Sequence, residues 1–534
     1  MIWIGLIGLL VILFFLLIGY MGSQSSRNKE TFANKEALAE APVKPVILLI
    51  IDSLMDAPLR EAIQLGKTPA LRFLKERGQY HPRVVTSFPS MSVSIDSTLL
   101  TGTPPNQHQI YGLVYMDPHE QRMVNFGTGL KETFKFGTRT VLKDSLQRLN
   151  QVCLSPDVKT IHETFDGPTA SINALIHRGP HQKTLTAPWL GRLFRLLPKT
   201  IETMATRYFS FGALAKIDHN SRPTGPLSRF GFHDTFTRNE IAHLLESGQL
   251  PPFTIAYFPR NDDYVHQKGT SEIKGIVKAD EELQALLNLF PSWDEAVDNV
   301  IWIVMGDSGQ APIIPNRKEA YIDLRKSLHP YRIMPIKQKK PRPDDQLVIC
   351  CNERMAYIYV LDEQLDLAEV VITLKQEPKL DIIAWNNQGR VSCVSGQMEG
   401  HVSFKAGGSL VDEYDQTWDL IGDLAILDLS VDEQNRITYG IFPDVLARLG
   451  GVMGTSERVI VVTVSPGYEM ISEASPTHSG ASHGSLHHLD SLVPMIICGT
   501  DSCPSHMRVI DLKPWLLKLL TTPRKQKKEN EQNP

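Results

Sequence analysis

Residues 46–52 read VILLIID, an unbroken apolar run closed by a carboxylate. A strand covered on one face alternates apolar and polar side chains. This run does not, so it predicts a strand buried on both faces, inside a sheet layered between helices. The same texture returns at ASINALI (170–176), FTIAYF (253–258), VIWIVMGD (300–307), RVIVVTV (458–464) and LVPMIICG (492–499). Between the runs, TPALRFLKERG (68–78), LGRLFRLLPKTIETMATRYF (190–209) and SEIKGIVKADEELQALLNLF (271–290) carry helical patterns. Buried strands alternating with helices give an α/β fold class, a mainly parallel sheet flanked by helices.

Outward from this frame the texture changes. From 319 to 456 the chain shows short strand-like runs, MAYIYVLD, LDIIAWN, GRVSCVSG and GHVSFKAG, with turn residues between them and no long helix. This predicts an α+β insertion, a cap, between a first part of the core at 44–318 and a last part at 457–515, with the sheet resuming at RVIVVTV. Residues 23–43 read as a polar tether and 516–534 as a disordered, solvated tail. Residues 1–22 hold no charged side chain, the first being Arg27, and about 20 apolar residues suffice to cross a bilayer. A signal peptide would show a basic start, a shorter apolar run and a small-residue cleavage site. The expectation is therefore a single-pass anchor, with the membrane as a partner. Arg27, Lys29 and Lys35 follow the segment and no Lys or Arg precedes it, which by the positive-inside rule places the body in the cytoplasm.

Composition narrows the function. Hydrophobic content of 42% and charged content of 21% are those of a globular protein, and a net charge of −4 argues against a nucleic-acid-binding surface. The six cysteines form no Cys-x-x-Cys pair and read as mostly buried thiols, with one disulfide left open.

Ligands of open α/β sheets bind beyond the carboxyl ends of the strands. There the apolar runs end in Asp52, in Asp262, Asp263 and His266 of NDDYVH, and in Asp307. HSGASHGSLHH, just before the last run, adds His478, His483, His487 and His488. VVTSFPSMSVSIDSTLLTG (84–102) adds a dense run of hydroxyls. Carboxylates gathered on one rim repel, and a divalent cation removes that cost. Carboxylate with imidazole suits Zn²⁺, with Mn²⁺ or Fe also compatible. Each motif alone has a plainer reading: a helix N-cap, an i,i+4 surface pair, a polar loop, a capping serine. Their joint order is what points to a site.

That order resembles the type I phosphodiesterase and nucleotide pyrophosphatase branch of the alkaline phosphatase superfamily. The matching motifs are IID, FPSMSVSIDSTLLTG, NDDYVH, GDSG and SHGS, from Val46 to about Arg317 and again from about Val459 to Gly499. The resemblance implies an alkaline-phosphatase-like fold and a hydrolase of phosphate mono- or diesters. It implies two divalent metals, a hydroxyl nucleophile and a phosphoseryl intermediate. Family spacing back from Thr101-Gly102 puts the nucleophile at Ser92, with Ser87 the alternative. One metal would take Asp262, His266 and His483, and the other Asp52, Ser92 and Asp307. Two departures stand out. The family's Asp-His-Gly is Asp307-Ser308-Gly309 here, so one imidazole is missing. The phosphate-clamping Asn of nucleotide-cleaving members falls on Leu113. Relatives of this kind are mostly extracytoplasmic, which opposes the positive-inside reading and sets the expectation of an external body. Sulfatase chemistry is excluded by the absence of Cys/Ser-x-Pro-x-Arg, and P-loop and kinase chemistry by the absence of their glycine signatures. The alternatives are a degenerate envelope binding protein that has lost a metal, and a phosphotransferase acting on lipid or glycan headgroups.

Overall fold

The computed structural model describes residues 32–524 except 118, 189–190, 193–195, 222–224, 454–457 and 472–474. The expected anchor or signal at 1–22 lies outside the described residues. Among those described, no helix is long and apolar enough to cross a membrane.

In chain order the strands of the two seven-stranded sheets begin with β1 (Val46–Ile51), β2 (Gln79–Val85), β3 (Thr169–Ile172), β4 (Tyr208–Ser210), β5 (Phe253–Phe258) and β6 (Ile301–Met305). They are followed by β7 (Leu347–Asn352), β8 (Met355–Val360), β9 (Leu380–Asn387) and β10 (Arg390–Val394). The last are β11 (Val402–Val411), β12 (Thr417–Gly422), β13 (Val459–Val464) and β14 (Leu492–Cys498). One sheet has the order β2-β14-β6-β1-β5-β3-β4. It is parallel around β1, with β14 running antiparallel to both β6 and β2. The other has the order β7-β8-β13-β9-β10-β11-β12 and is antiparallel throughout.

β1 behaves as VILLIID predicts: every residue is buried. Ile47, Leu49 and Ile51 face one apolar cluster, under the helices α1 (Pro69–Arg77), α3 (Asp234–Glu246) and α5 (Lys274–Leu287). Val46, Leu48 and Ile50 face a second, which takes in α2 (Ser92–Thr101) and α7 (Leu512–Thr521). This second cluster runs on without a break into the antiparallel sheet, through Val348, Tyr357, Ile382 and Val461. The far face of that sheet is covered in part by α6 (Leu367–Lys375).

Several expectations are corrected. From Thr200 on, the helix expected over 190–209 gives way to a strand, Thr200–Ala205, in an antiparallel hairpin with His181–Thr186 and followed by β4. Ile201, Thr203 and Ala205 are buried and their neighbours exposed, the period of a strand. RVIVVTV does not resume the parallel-centred sheet: as β13 it sits between β8 and β9 of the other sheet, and the first sheet resumes at β14. A run buried on both faces reads alike in either sheet. The tail expected from 516 is helical to Thr521, with Trp515, Leu516, Leu519 and Leu520 buried. The tether is packed from Ala33, whose N–H donates to Leu289 O at 2.8 Å, and Leu38 is buried. All six cysteines are free thiols, and Cys503 alone of them is exposed.

Candidate metal centre

The central strands deliver their carboxylates to one place. Asp52 follows β1 and Asp307 follows β6. Asp262 lies in the first turn of α4 (Arg260–Lys268), after β5. With β1 paired in register to both neighbours, the three chain ends lie side by side at one edge of the sheet, where a cleft opens at Asp262. Its volume is about 410 Å³, and it is lined by Ser92, Leu113, Leu175, Asp262, His266 and His483 among others.

The imidazole side is built from α4 and the loop before β14. His266 Nδ1 lies 2.9 Å from the Ala481 carbonyl, and His483 Nδ1 is hydrogen-bonded to the Ser90 carbonyl. A carbonyl can only accept, so each Nδ1 carries the proton and each Nε2 presents a lone pair. Those Nε2 atoms face Asp262 Oδ1, at 3.2 Å from His266 and 4.0 Å from His483. Lone pairs and a carboxylate oxygen turned toward one point suit a cation. Backbone carbonyls holding the far nitrogens are the usual support of metal-bound histidines. Without a cation the same pocket protonates: burial opposes it, but the Asp262 and Glu353 carboxylates push His266 up to about 10.

On the carboxylate side, Asp307 Oδ1 accepts from Ser53 N at 3.0 Å and Ser308 N at 2.7 Å. Its Oδ2 is buried without a hydrogen-bond partner. Burial raises the Asp307 carboxyl, while the Ser53 and Ser308 N–H groups and the Ser92 hydroxyl favour its ionised form. Burial, then the charges of Asp307 and Asp262, drive Asp52 well above the ordinary carboxylate range. Three carboxylates pressed together, one with an orphaned oxygen, fit a divalent ion.

The hydroxyl run sorts itself by contact. Ser87 Oγ lies 2.9 Å from Thr98 Oγ1, and Ser90 Oγ accepts from Gly484 N at 2.9 Å. Ser94 donates to Ile110 O and Ser97 to Val93 O, both at 2.8 Å, and Thr101 donates to Ser97 O. All are buried. Ser92, the first residue of α2, is half-buried and lines the cleft. Gly102 ends the helix at φ +66°, a left-handed position that glycine adopts without strain.

The sequence-predicted residues thus converge: Asp262, His266 and His483 as one group, and Asp52, Ser92 and Asp307 beside it. His478 stacks on His266 with ring centroids 3.8 Å apart and bonds through Nδ1 to Glu469 Oε1 at 2.6 Å. His487 and His488 serve elsewhere, His487 capping the turn at His488–Ser491. Asp263 pairs outward with Arg229. At the missing imidazole, Ser308 is fully buried, its Oγ 3.5 Å from Ser53 Oγ. Three contributors escaped the sequence reading. Ser53 Oγ and Gln310 Nε2 donate to Asp262 Oδ1 at 2.8 and 2.7 Å. Glu353, from the insertion, brings its Oε2 to 3.9 Å from His483 Nε2. Ser53 and Gln310 adjoin the predicted motifs and could have been found by proximity. Nothing in the sequence around Glu353 marks it.

The family model described as type I phosphodiesterase / nucleotide pyrophosphatase matches residues 46–386, running past 317 into the insertion. No curated protein matches in sequence. Among solved structures, phosphonoacetate hydrolase from Sinorhizobium meliloti in complex with phosphonoformate is similar at TM-score 0.53 and 17% identity, over 90% of this chain and 96% of that one. Murine ectonucleotide pyrophosphatase / phosphodiesterase 5 is similar at TM-score 0.51 and 12% identity, over 89% and 95%. The human form gives 0.51 and 13%, over 89% and 94%. At these identities the likeness is one of fold, and it is alkaline-phosphatase-like.

Proposed function

We propose, from the premise that the chain belongs to the type I phosphodiesterase / nucleotide pyrophosphatase family of the alkaline phosphatase superfamily and is a phosphoesterase, that it hydrolyses phosphate mono- or diesters through a phosphoseryl intermediate on Ser92. The observation that carries the reading is the sorting of hydroxyls: Ser87, Ser90, Ser94, Ser97, Thr98 and Thr101 are buried and hydrogen-bonded within the protein, and Ser92 lines the cleft with Asp262, His266 and His483.

Asp262, His266 and His483 would hold one divalent ion, and Asp52, Asp307 and Ser92 the other, with Zn²⁺ the ion that best suits imidazole with carboxylate. When bound, such ions lower the pKa of a hydroxyl and offset charge on phosphoryl oxygens. The chain supplies the rest. Asp307 orients the Ser92 hydroxyl. The Ser92 oxygen attacks phosphorus, the P–O bond to the alcohol breaks, and the alcohol leaves. Ser94 N and Ile95 N are bonded to Met91 O, so the donors α2 would offer the phosphoryl oxygens are those of Ser92 and Val93 at its start. Water then attacks the phosphoseryl phosphorus, releasing phosphate or its monoester and restoring Ser92. Leu113, the position that family spacing gives to the phosphate-clamping Asn of nucleotide-cleaving members, lines the cleft without an amide to offer, so the reading rests on phosphate esters in general and not on nucleotides.

Ser92→Ala removes the attacking oxygen and little packing. Turnover of an aryl phosphate and an aryl phosphodiester should fall by several orders of magnitude, because residues acting as one unit are each nearly indispensable. Ser87→Ala and Ser90→Ala should cost stability, about 1 kcal/mol, and little turnover. Near-normal turnover by Ser92→Ala at unchanged metal content would end the assignment.

A further inference from the structure

Glu353 stands at the tip of the β7–β8 hairpin, whose closing pair is Asn352 with Met355. The whole tip is driven into the catalytic half. Asn352 Oδ1 accepts from Leu113 N and Val114 N at 2.8 and 3.0 Å. The buried Arg354 guanidinium pairs with Asp490. Between them Glu353 has φ +59°, a conformation that costs a residue with a Cβ. Its carboxylate is 6% exposed. Oε2 accepts from the Ser482 hydroxyl at 2.7 Å and lies 3.9 Å from His483 Nε2, the nitrogen that also faces Asp262. His266, Glu353 and His478 bring ligand atoms within 4.8 Å of one another, a group that shares His266 with the group of Asp262, His266 and His483. Tetrahedral bonds of about 2.0–2.1 Å set ligand atoms a little over 3 Å apart, so an ion would draw the Glu353 carboxylate and His483 together by less than about 1 Å.

We infer that the insertion supplies a metal ligand: Glu353 coordinates the same divalent ion as Asp262, His266 and His483, from the cap side. This rests on the proposed two-metal reading and adds to it. Two imidazoles and two carboxylates are donor types such an ion takes, and a bound ion would offset charge on a phosphoryl oxygen. The cap is thereby tied to the metal. His478, stacked on His266 and fixed by Glu469, is a positioning side chain for this arrangement.

The test uses the full chain, stripped of metal and titrated with Co²⁺, reading affinity by competition with a chelator and ligation by the visible absorption band. Glu353→Gln keeps the shape and an acceptor for Ser482 but loses the charge. It should weaken the tighter Co²⁺ site at least tenfold and alter the band, while Asp262→Asn should weaken that site too. Ser482→Ala, which frees the carboxylate, should give a smaller loss in the same direction. Melting temperatures of the metal-free proteins, read on the same samples, separate lost ligation from lost folding. Wild-type affinity and band in Glu353→Gln, with Asp262→Asn impaired, would overturn the ligand role and leave the metal reading standing. A wild-type chain that takes up no Co²⁺ would overturn both.

Discussion

Asp96 lies on α2 one turn after Ser92, the proposed nucleophile, with no exposed surface. Its carboxyl is met by the Tyr257 hydroxyl and by Leu175 N at 3.2 Å. Burial outweighs those bonds and lifts the group to about 8, against 3.8 when free. The native state therefore holds a proton that the unfolded chain releases. That stability is complete below about pH 4 and is lost as pH rises through about 8. Asp96→Asn cannot ionise, so in metal-free protein the wild type should lose more stability than the variant between pH 5 and pH 8. Urea melts at both pH values check this. A wild-type-to-variant difference that does not change with pH would defeat it. At this scale the sequence was informative where chemistry ends an apolar run: Asp52, Asp262 and Asp307 are legible because strands stop at them. Glu353 is not, since Asn-Glu-Arg between two strands reads as any polar hairpin turn, and only the tertiary fold brings it to His483.

Elements were legible when their period was unambiguous. The doubly buried β1 follows directly from its pattern, whereas α2 (Ser92–Thr101), buried at nearly every residue, has no amphipathic period to mark it. LGRLFRLLPKTIETMATRYF misleads because apolar residues at helical spacing run into TIETMA, which alternates. Pro198 lies between them, and a proline inside a helix costs a hydrogen bond and a clash, so it divides the two. The His-bearing loop shows how tightly elements are set here. Gly480 N donates to His266 O at 2.9 Å. A Cβ on Gly480 would fall 2.3 Å from Gly269 N and 2.8 Å from Lys268 N, backbone atoms that cannot step aside. Gly480→Ala must push the loop off the end of α4 and with it separate His483 from His266. We expect a stability loss of about 1–3 kcal/mol and weaker metal binding together. Calorimetric melting and a Co²⁺ titration would show it. A variant with unchanged melting and affinity would mean that the loop has room the packing denies.

At the scale of the molecule, the insertion was legible as a change of texture and illegible as a partner of the core. Composition cannot show that Val348, Tyr357, Ile382 and Val461 share one apolar cluster with Val46, Leu48 and Ile50. Nor can it show that β13 lies in the second sheet. The strongest polar link between the halves is Arg354. Its Nη1 pairs with Asp490, its Nη2 donates to Val464 O at 2.7 Å, and both charged side chains are fully buried. Such a pair adds little over an apolar filling, but removing one partner strands a buried charge, at a cost of about 3–5 kcal/mol. Two outcomes then separate a cap that is hinged from one that is fused. A hinged cap would melt apart from the core, and Arg354→Ala would lower or split off one of two transitions. A continuous core predicts a single calorimetric transition for residues on both sides of the junction. Arg354→Ala should move that transition down whole, and Arg354→Met with Asp490→Leu should recover part of the loss. Scanning calorimetry of the three proteins decides it. A separate low-temperature transition in the wild type would show that the apolar cluster does not couple the two sheets.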